Sequence, residues 1–186
     1  MVPVMSLLVP ILVSGVIVFV GSTLIHMVLG YHKADFKTLP SEDEVMAALQ
    51  KFNIPPGDYM VPRPASMEAM QRAEFKAKRD KGPVMVTTVM KSGPFTMGPA
   101  LLKWFIFCCV VSLFAAYVTG RAHPAGTAYL TVFRTAGTVA FMGYALGEWP
   151  AHIWYQRSLG TTLRQTFDGL VYGLLTAGVF GWLWPH

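Results

Sequence analysis

Charge is scarce in this chain. Only 13% of its 186 residues are Asp, Glu, Lys or Arg, against about a quarter in soluble domains. Ten of the fifteen basic residues and eight of the ten acidic ones fall between Lys33 and Lys91, so the remainder is almost uncharged. The net charge of +5 therefore forms no basic stripe with interleaved aromatics, which excludes a nucleic-acid partner. Cysteine is nearly absent too: Cys108 and Cys109 stand side by side. Adjacent helical residues point about 100° apart, a poor geometry for a bridge. With no CxxC or Cys/His spacing, zinc-ribbon and haem c chemistry have no signature here. The two thiols read as small buried hydrophobes. Catalytic signatures are missing as well: there is no G-x-x-x-x-G-K-[ST], G-x-S-x-G, HExxH or EF-hand loop. The expectation is a protein with no catalytic residue, no metal and no cofactor beyond bound lipids.

What the chain does have is long apolar runs, over 5–29, 99–120, 126–147 and 167–184. A membrane span needs about 20 mostly apolar residues in a helix, and in lipid only helices and closed barrels satisfy the backbone. The expected fold class is an all-α membrane protein with four transmembrane helices and a mostly helical extramembrane segment between the first two. The domains are then span 1 over 1–30, an extramembrane segment over 31–98, and spans 2–4 over 99–186 with an interfacial connector at 150–166. The N-terminal run has no basic residue before it and no A-x-A site after it, and reads as an uncleaved helix.

In the extramembrane segment, Ser41 with Glu44 three residues on spells a capping box opening a short helix, which Ile54-Pro55-Pro56-Gly57 stops. A second helix is expected from Ser66 to Lys78. Residues 84–90 have strand composition, and a lone strand needs a partner, with Tyr59–Val61 or another chain as the options. The connector 150–166 carries His152, Trp154, Tyr155, Arg157 and Arg164, a mixture suited to the headgroup layer. Asp168 is expected to open the last helix, where its charge complements the helix dipole. Lys33, Lys37, Lys91, Lys103, Arg157 and Arg164 collect on one side, so the positive-inside rule puts 31–98 in the cytoplasm and both termini in the periplasm.

Small residues recur every four positions in the last run: Gly169, Gly173, Ala177 and Gly181. Ser112, Ala116 and Gly120 in the second run, and Gly143 and Gly147 in the third, repeat the spacing. Such faces let backbones approach closely in lipid. They suit a bundle packing on itself or a face that docks another subunit.

Four polar residues stand out. His26 ends the first run, but a b-type haem needs two histidines facing each other at matched depth, and His152 falls outside the apolar runs. The plainer reading is a hydrogen bond to a hydroxyl such as Ser22. Glu148 and Asp168, with His26, Lys103 and Arg164, are expected to gather at one interface as an ion-pair network or, alternatively, a proton or ion path. Arg134 lies inside the third run with no acidic residue on its side, and is expected to face the interior or the interface, held by carbonyls, phosphate or the carboxylate of His186.

The segments Pro56-Gly57-Asp58-Tyr59-Met60-Val61-Pro62, Ser66-Met67-Glu68-Ala69-Met70, Phe133-Arg134-Thr135-Ala136-Gly137-Thr138-Val139-Ala140-Phe141 and Thr166-Phe167-Asp168-Gly169-Leu170 resemble a family of uncharacterised bacterial four-helix integral membrane proteins. The resemblance spans nearly the whole chain and implies the bacterial cytoplasmic (inner) membrane. It supplies no catalytic residue. The expected role is a non-catalytic structural or accessory subunit of a larger membrane complex, respiratory or photosynthetic for example, with lipids and other membrane subunits as partners. A small oligomeric transporter or channel is the alternative, and a redox membrane protein the second.

Overall fold

A long apolar run withdrawn from water must satisfy its own backbone groups, and the helix is the arrangement that does so locally. In the computed structural model, which describes residues 1–94 and 96–186, the chain is mostly helical. Two helices are long and apolar enough to cross a membrane: α1 (Val4–Leu29) and α5 (Gly98–Ala122). α1 stops at Gly30, which takes φ 65°, the left-handed conformation that ends many helices and that glycine adopts without penalty. α5 starts on Gly98-Pro99, where proline lacks only an N–H that the first turn leaves unused.

The chain divides into two units, one formed by 1–37 with 96–186 and the other by 38–95. The second unit contains α2 (Glu42–Gln50), β1 (Gly57–Val61), α3 (Met67–Gln71), α4 (Ala73–Lys81) and β2 (Met85–Val89). β1 and β2 pair antiparallel with Tyr59 opposite Thr87, so the strand-like run finds its partner within the chain and the fold is not purely α. Ser66 caps α3, its Oγ accepting the Ala69 N–H at 3.0 Å, as an N-cap serine should. The capping box at Ser41 does not form: Ser41 sits at φ 48° with no side-chain cap bond, whereas the cap requires extended backbone. The helix expected over 66–78 is broken at Arg72, whose ψ of 143° interrupts the coil between α3 and α4.

The first unit is an up-down-up-down bundle of α1, α5, α6 (Tyr129–Ala145) and α8 (Leu159–Trp182). α1 and α5 run antiparallel, joined by Ser14 Oγ donating to Ser112 Oγ at 2.8 Å and Trp104 Nε1 donating to Ser22 Oγ at 2.7 Å. At the far end the Val2 N–H donates to the Gly120 carbonyl at 2.7 Å. A Cβ on Gly120 would sit 2.5 Å from the Val2 carbonyl oxygen, so this close approach requires glycine. α6 and α8 meet along their small residues. A Cβ on Gly137 would lie 2.8 Å from Ala177 Cβ, and one on Gly169 would lie 2.7 Å from Ala145 Cβ. Gly143 faces Val111 of α5, while a Cβ on Gly147 would meet nothing within 4 Å. Gly147 is therefore not a packing glycine; it lies in the 3-10 turn Leu146–Glu148 that follows α6.

Two sequence boundaries move. The expected connector over 150–166 is α7 (Trp149–Tyr155) followed by the first turns of α8. Asp168 therefore does not open the last helix: it sits buried in α8, which begins at Leu159. Polar Thr161, Thr162, Arg164 and Asp168 hide the helix from any count of apolar residues, yet the threonines and Asp168 are buried on its inner face. Residues 31–37, expected outside the membrane-spanning part, belong to the bundle unit.

Candidate functional site

The bundle end opposite Val2 concentrates the chain's buried charge. After Gly30 the backbone turns into a 3-10 segment, Tyr31–Ala34, which carries Tyr31, His32 and Asp35 onto the inner face of α8. Thr161, Arg164 and Asp168 occupy positions i, i+3 and i+7 of that helix, one face by its periodicity.

Asp168 is only 4% exposed. Its Oδ1 accepts a hydrogen bond from the Tyr31 hydroxyl, and its Oδ2 lies 2.8 Å from His32 Nε2. That nitrogen is off the line a hydrogen bond needs and has no hydrogen-bond partner. The other ring nitrogen, Nδ1, is 2.7 Å from Asp35 Oδ2. Asp35 Oδ1 also receives Arg164 Nε at 2.7 Å. Burial alone would raise the Asp35 carboxyl, but hydrogen bonds from His32, Arg164 and Thr161 and the Arg164 charge outweigh it and hold the group below its ordinary pKa. Burial, reinforced by the Asp168 hydrogen bond and the charges of Asp168 and Asp35, pushes the Tyr31 phenol up, so it stays a proton donor to Asp168.

His26 lies in the widened last turn of α1, Ile25–Leu29. Its Nδ1 is 3.0 Å from the Ser22 carbonyl. Its ring stacks on His32 with centroids 4.3 Å apart and planes within 5°. His26, His32 and Asp168 each bring one ligand-type atom to within 4.8 Å of the others. Beside them a cavity of about 510 Å³ opens, lined by His26, Asp168, Trp104, Tyr144, Glu148, Gln165 and Tyr172 among others. The Tyr172 hydroxyl and Gln165 Oε1 are buried there without a hydrogen-bond partner. Such a site can hold a cation, pass a proton, or orient a small polar ligand.

Neither a family model, nor a curated protein, nor a solved structure matches this chain.

The residues singled out in the sequence scatter. His26 and Asp168 come together, and Arg164 joins them through Asp35. Lys103 is exposed and forms no ion pair among the described residues. Glu148 lines the cavity but spends its charge on Arg157, 2.9 Å away. His152 Nδ1 is held by the Arg157 carbonyl at 2.7 Å. Arg134 is exposed beside a shallow groove of α6 and α8, has no carboxylate within ion-pair distance among the described residues, and does not face the interior. Tyr31, His32 and Asp35 are the members that sequence reasoning missed. The signal for two of them is the i, i+3 spacing of His32 and Asp35 directly after a helix-ending glycine.

Proposed function

We propose that this chain is a four-span integral membrane protein acting as a non-catalytic subunit of a larger assembly in the bacterial cytoplasmic membrane. The observation that supports this best is the inverted distribution of side-chain size in the bundle. Small and hydroxyl residues are buried between helices: Ser14, Ser112, Ala116, Ala136, Ala140, Thr176 and Ala177. Large apolar residues point outward: Leu12, Val16 and Val20 on α1, Ile106 and Leu113 on α5, Leu130 and Met142 on α6, Phe167, Leu170 and Leu174 on α8. Water would drive the opposite arrangement, whereas lipid makes close backbone packing the source of association. α6 has 17 residues, about 26 Å at the helical rise, so its span is completed by the 3-10 turn that follows it. Arg164 and Asp168 then lie at headgroup depth, where water and phosphate are near.

In this reading both termini are periplasmic and the segment 31–98 is cytoplasmic. Alkaline phosphatase fused after His186 should be active and a cytoplasm-dependent reporter at the same place silent; the reverse result removes the four-span topology. The subunit role has its own measurement. Gently extracted, the tagged chain should run as a particle containing other membrane polypeptides in fixed ratio. The cavity at the charged end favours the runner-up, a small oligomeric transporter, for which the particle would contain copies of this chain alone. A monomer with its lipid shell would defeat both readings.

A further inference from the structure

We propose that His26, His32 and Asp168 are the protein ligands of a divalent first-row transition cation of the zinc class, with its remaining coordination position open to the cavity. The inference holds whatever the chain assembles with.

Three independent segments supply the ligands: the last turn of α1, the 3-10 turn after it, and α8. Their donor atoms already lie within 4.8 Å of one another. Each ligand is also fixed from behind, as metal ligands characteristically are. His26 Nδ1 faces the Ser22 carbonyl, His32 Nδ1 faces the Asp35 carboxylate, and Asp168 Oδ1 is taken by the Tyr31 hydroxyl. These partners leave Nε2 of each histidine and Oδ2 of the aspartate turned toward one another, with His32 Nε2 2.8 Å from Asp168 Oδ2.

The charge distribution points the same way. Asp35 is answered by Arg164. Asp168 is buried, no Lys or Arg among the described residues reaches it, and its one basic neighbour is the His32 imidazole at 2.8 Å. A buried carboxylate needs either a bound cation or a protonated histidine to offset its charge. Next to it the buried His32 Nε2 has no hydrogen-bond partner, the state expected of a nitrogen whose lone pair awaits a metal. Two imidazoles and one carboxylate do not suit calcium or magnesium, which take oxygen ligands, or copper(I), which prefers sulfur. They suit zinc, iron(II), cobalt(II) and nickel(II), and three protein ligands with an open position are the pattern of accessible rather than closed structural sites. The unpartnered Tyr172 hydroxyl and Gln165 Oε1 line the same cavity.

The competing arrangement is a protonated His32 shared by Asp35 and Asp168, a purely ionic network. His26 separates the two. It is exposed and its one hydrogen bond is to its own helix, so the ionic network does not use it, while a metal site loses a ligand without it. The test uses the full-length chain without a polyhistidine tag, purified in detergent, stripped with chelator and titrated with Co²⁺ as the chromophoric probe, then with Zn²⁺ in competition. Wild type should show saturable visible Co²⁺ bands at one ion per chain, displaced by Zn²⁺, and Zn²⁺ should raise its melting temperature. His26→Ala should melt like metal-free wild type yet bind at least about 100-fold more weakly, and Asp35→Asn should lose about 10- to 100-fold. Asp168→Asn should abolish the bands; were it not to fold, His26→Ala decides alone. Absence of saturable binding in wild type, or binding that His26→Ala leaves unchanged, overturns the site.

Discussion

Gly173→Leu should destroy the native bundle. A Cβ at Gly173 already lies 3.2 Å from the Gly137 carbonyl oxygen, from Phe141 Cβ and from Phe141 N. Two of those neighbours are backbone of α6, so no side-chain rotation relieves the contact; only separation of α6 from α8 does. The same face is tight along its length, since a Cβ on Gly169 would meet the backbone of Ala145 at 3.0 Å and one on Gly181 the ring of Tyr129 at 2.7 Å. Overpacking a core by a few methylenes costs about 1–3 kcal/mol. A whole isobutyl group between two backbones should exceed that range, against a total stability of about 5–15 kcal/mol. The expected result is a large fall in melting temperature, or loss of the folded protein altogether. Gly147→Leu is the matched control: it adds the same side chain where a Cβ meets nothing within 4 Å, and it should melt like wild type. Equal melting of Gly173→Leu and wild type would show that this face does not hold the helices together.

The spacing of Gly169, Gly173, Ala177 and Gly181 was readable because close approach of two helix backbones selects for small size at a helical period, and size is written directly in the sequence. The pairing of Met85–Val89 with Gly57–Val61 was partly readable for a related reason: residues of strand composition need a ladder, and few segments nearby offer one. The charged site was hidden by the criterion that found the apolar runs. An apolar run ends at its first polar residue, so Asp168 looked like a helix start, whereas the helix begins at Leu159 and turns its polar residues inward. The helical face formed by Thr161, Arg164 and Asp168 was present in the sequence, but it has meaning only once those residues are known to be helical. His32 and Asp35 were beyond local reasoning altogether. Their role depends on Gly30 reversing the chain and on Tyr31–Ala34 folding back over α8, and a single glycine does not specify which helix its turn will meet. Arg134 was singled out by depth within an apolar run, but depth in sequence does not say which way a helix face points, and this one points outward.

Removing one charge from the Asp35–Arg164 pair should have the second-largest effect on stability. The Asp35 side chain is 6% exposed and Arg164 27%, so Arg164→Leu strands a carboxylate with little water to solvate it. Breaking a buried pair from one side typically costs about 3–5 kcal/mol, much of it the penalty for the uncompensated charge that remains. Thr161 and His32 still face Asp35 in the variant, which sets the expectation at the lower end, about 3 kcal/mol, or roughly a 10 °C fall in melting temperature for a unit of this size. The bridge between Arg157 and Glu148 provides the contrast. Its side chains are 32% and 38% exposed, and Arg157→Leu should cost no more than about 1 kcal/mol. Replacing both members, Arg164→Leu with Asp35→Leu, should recover most of the loss, because two apolar groups leave no charge to strand. The decisive comparison is therefore between the single and the double variant, measured in one detergent. Recovery identifies the stranded carboxylate as the source of the cost. A double variant no more stable than Arg164→Leu would mean that the guanidinium acts mainly by packing over the first turns of α8, and that the charge at this end of the bundle is tolerated through water reaching Asp35.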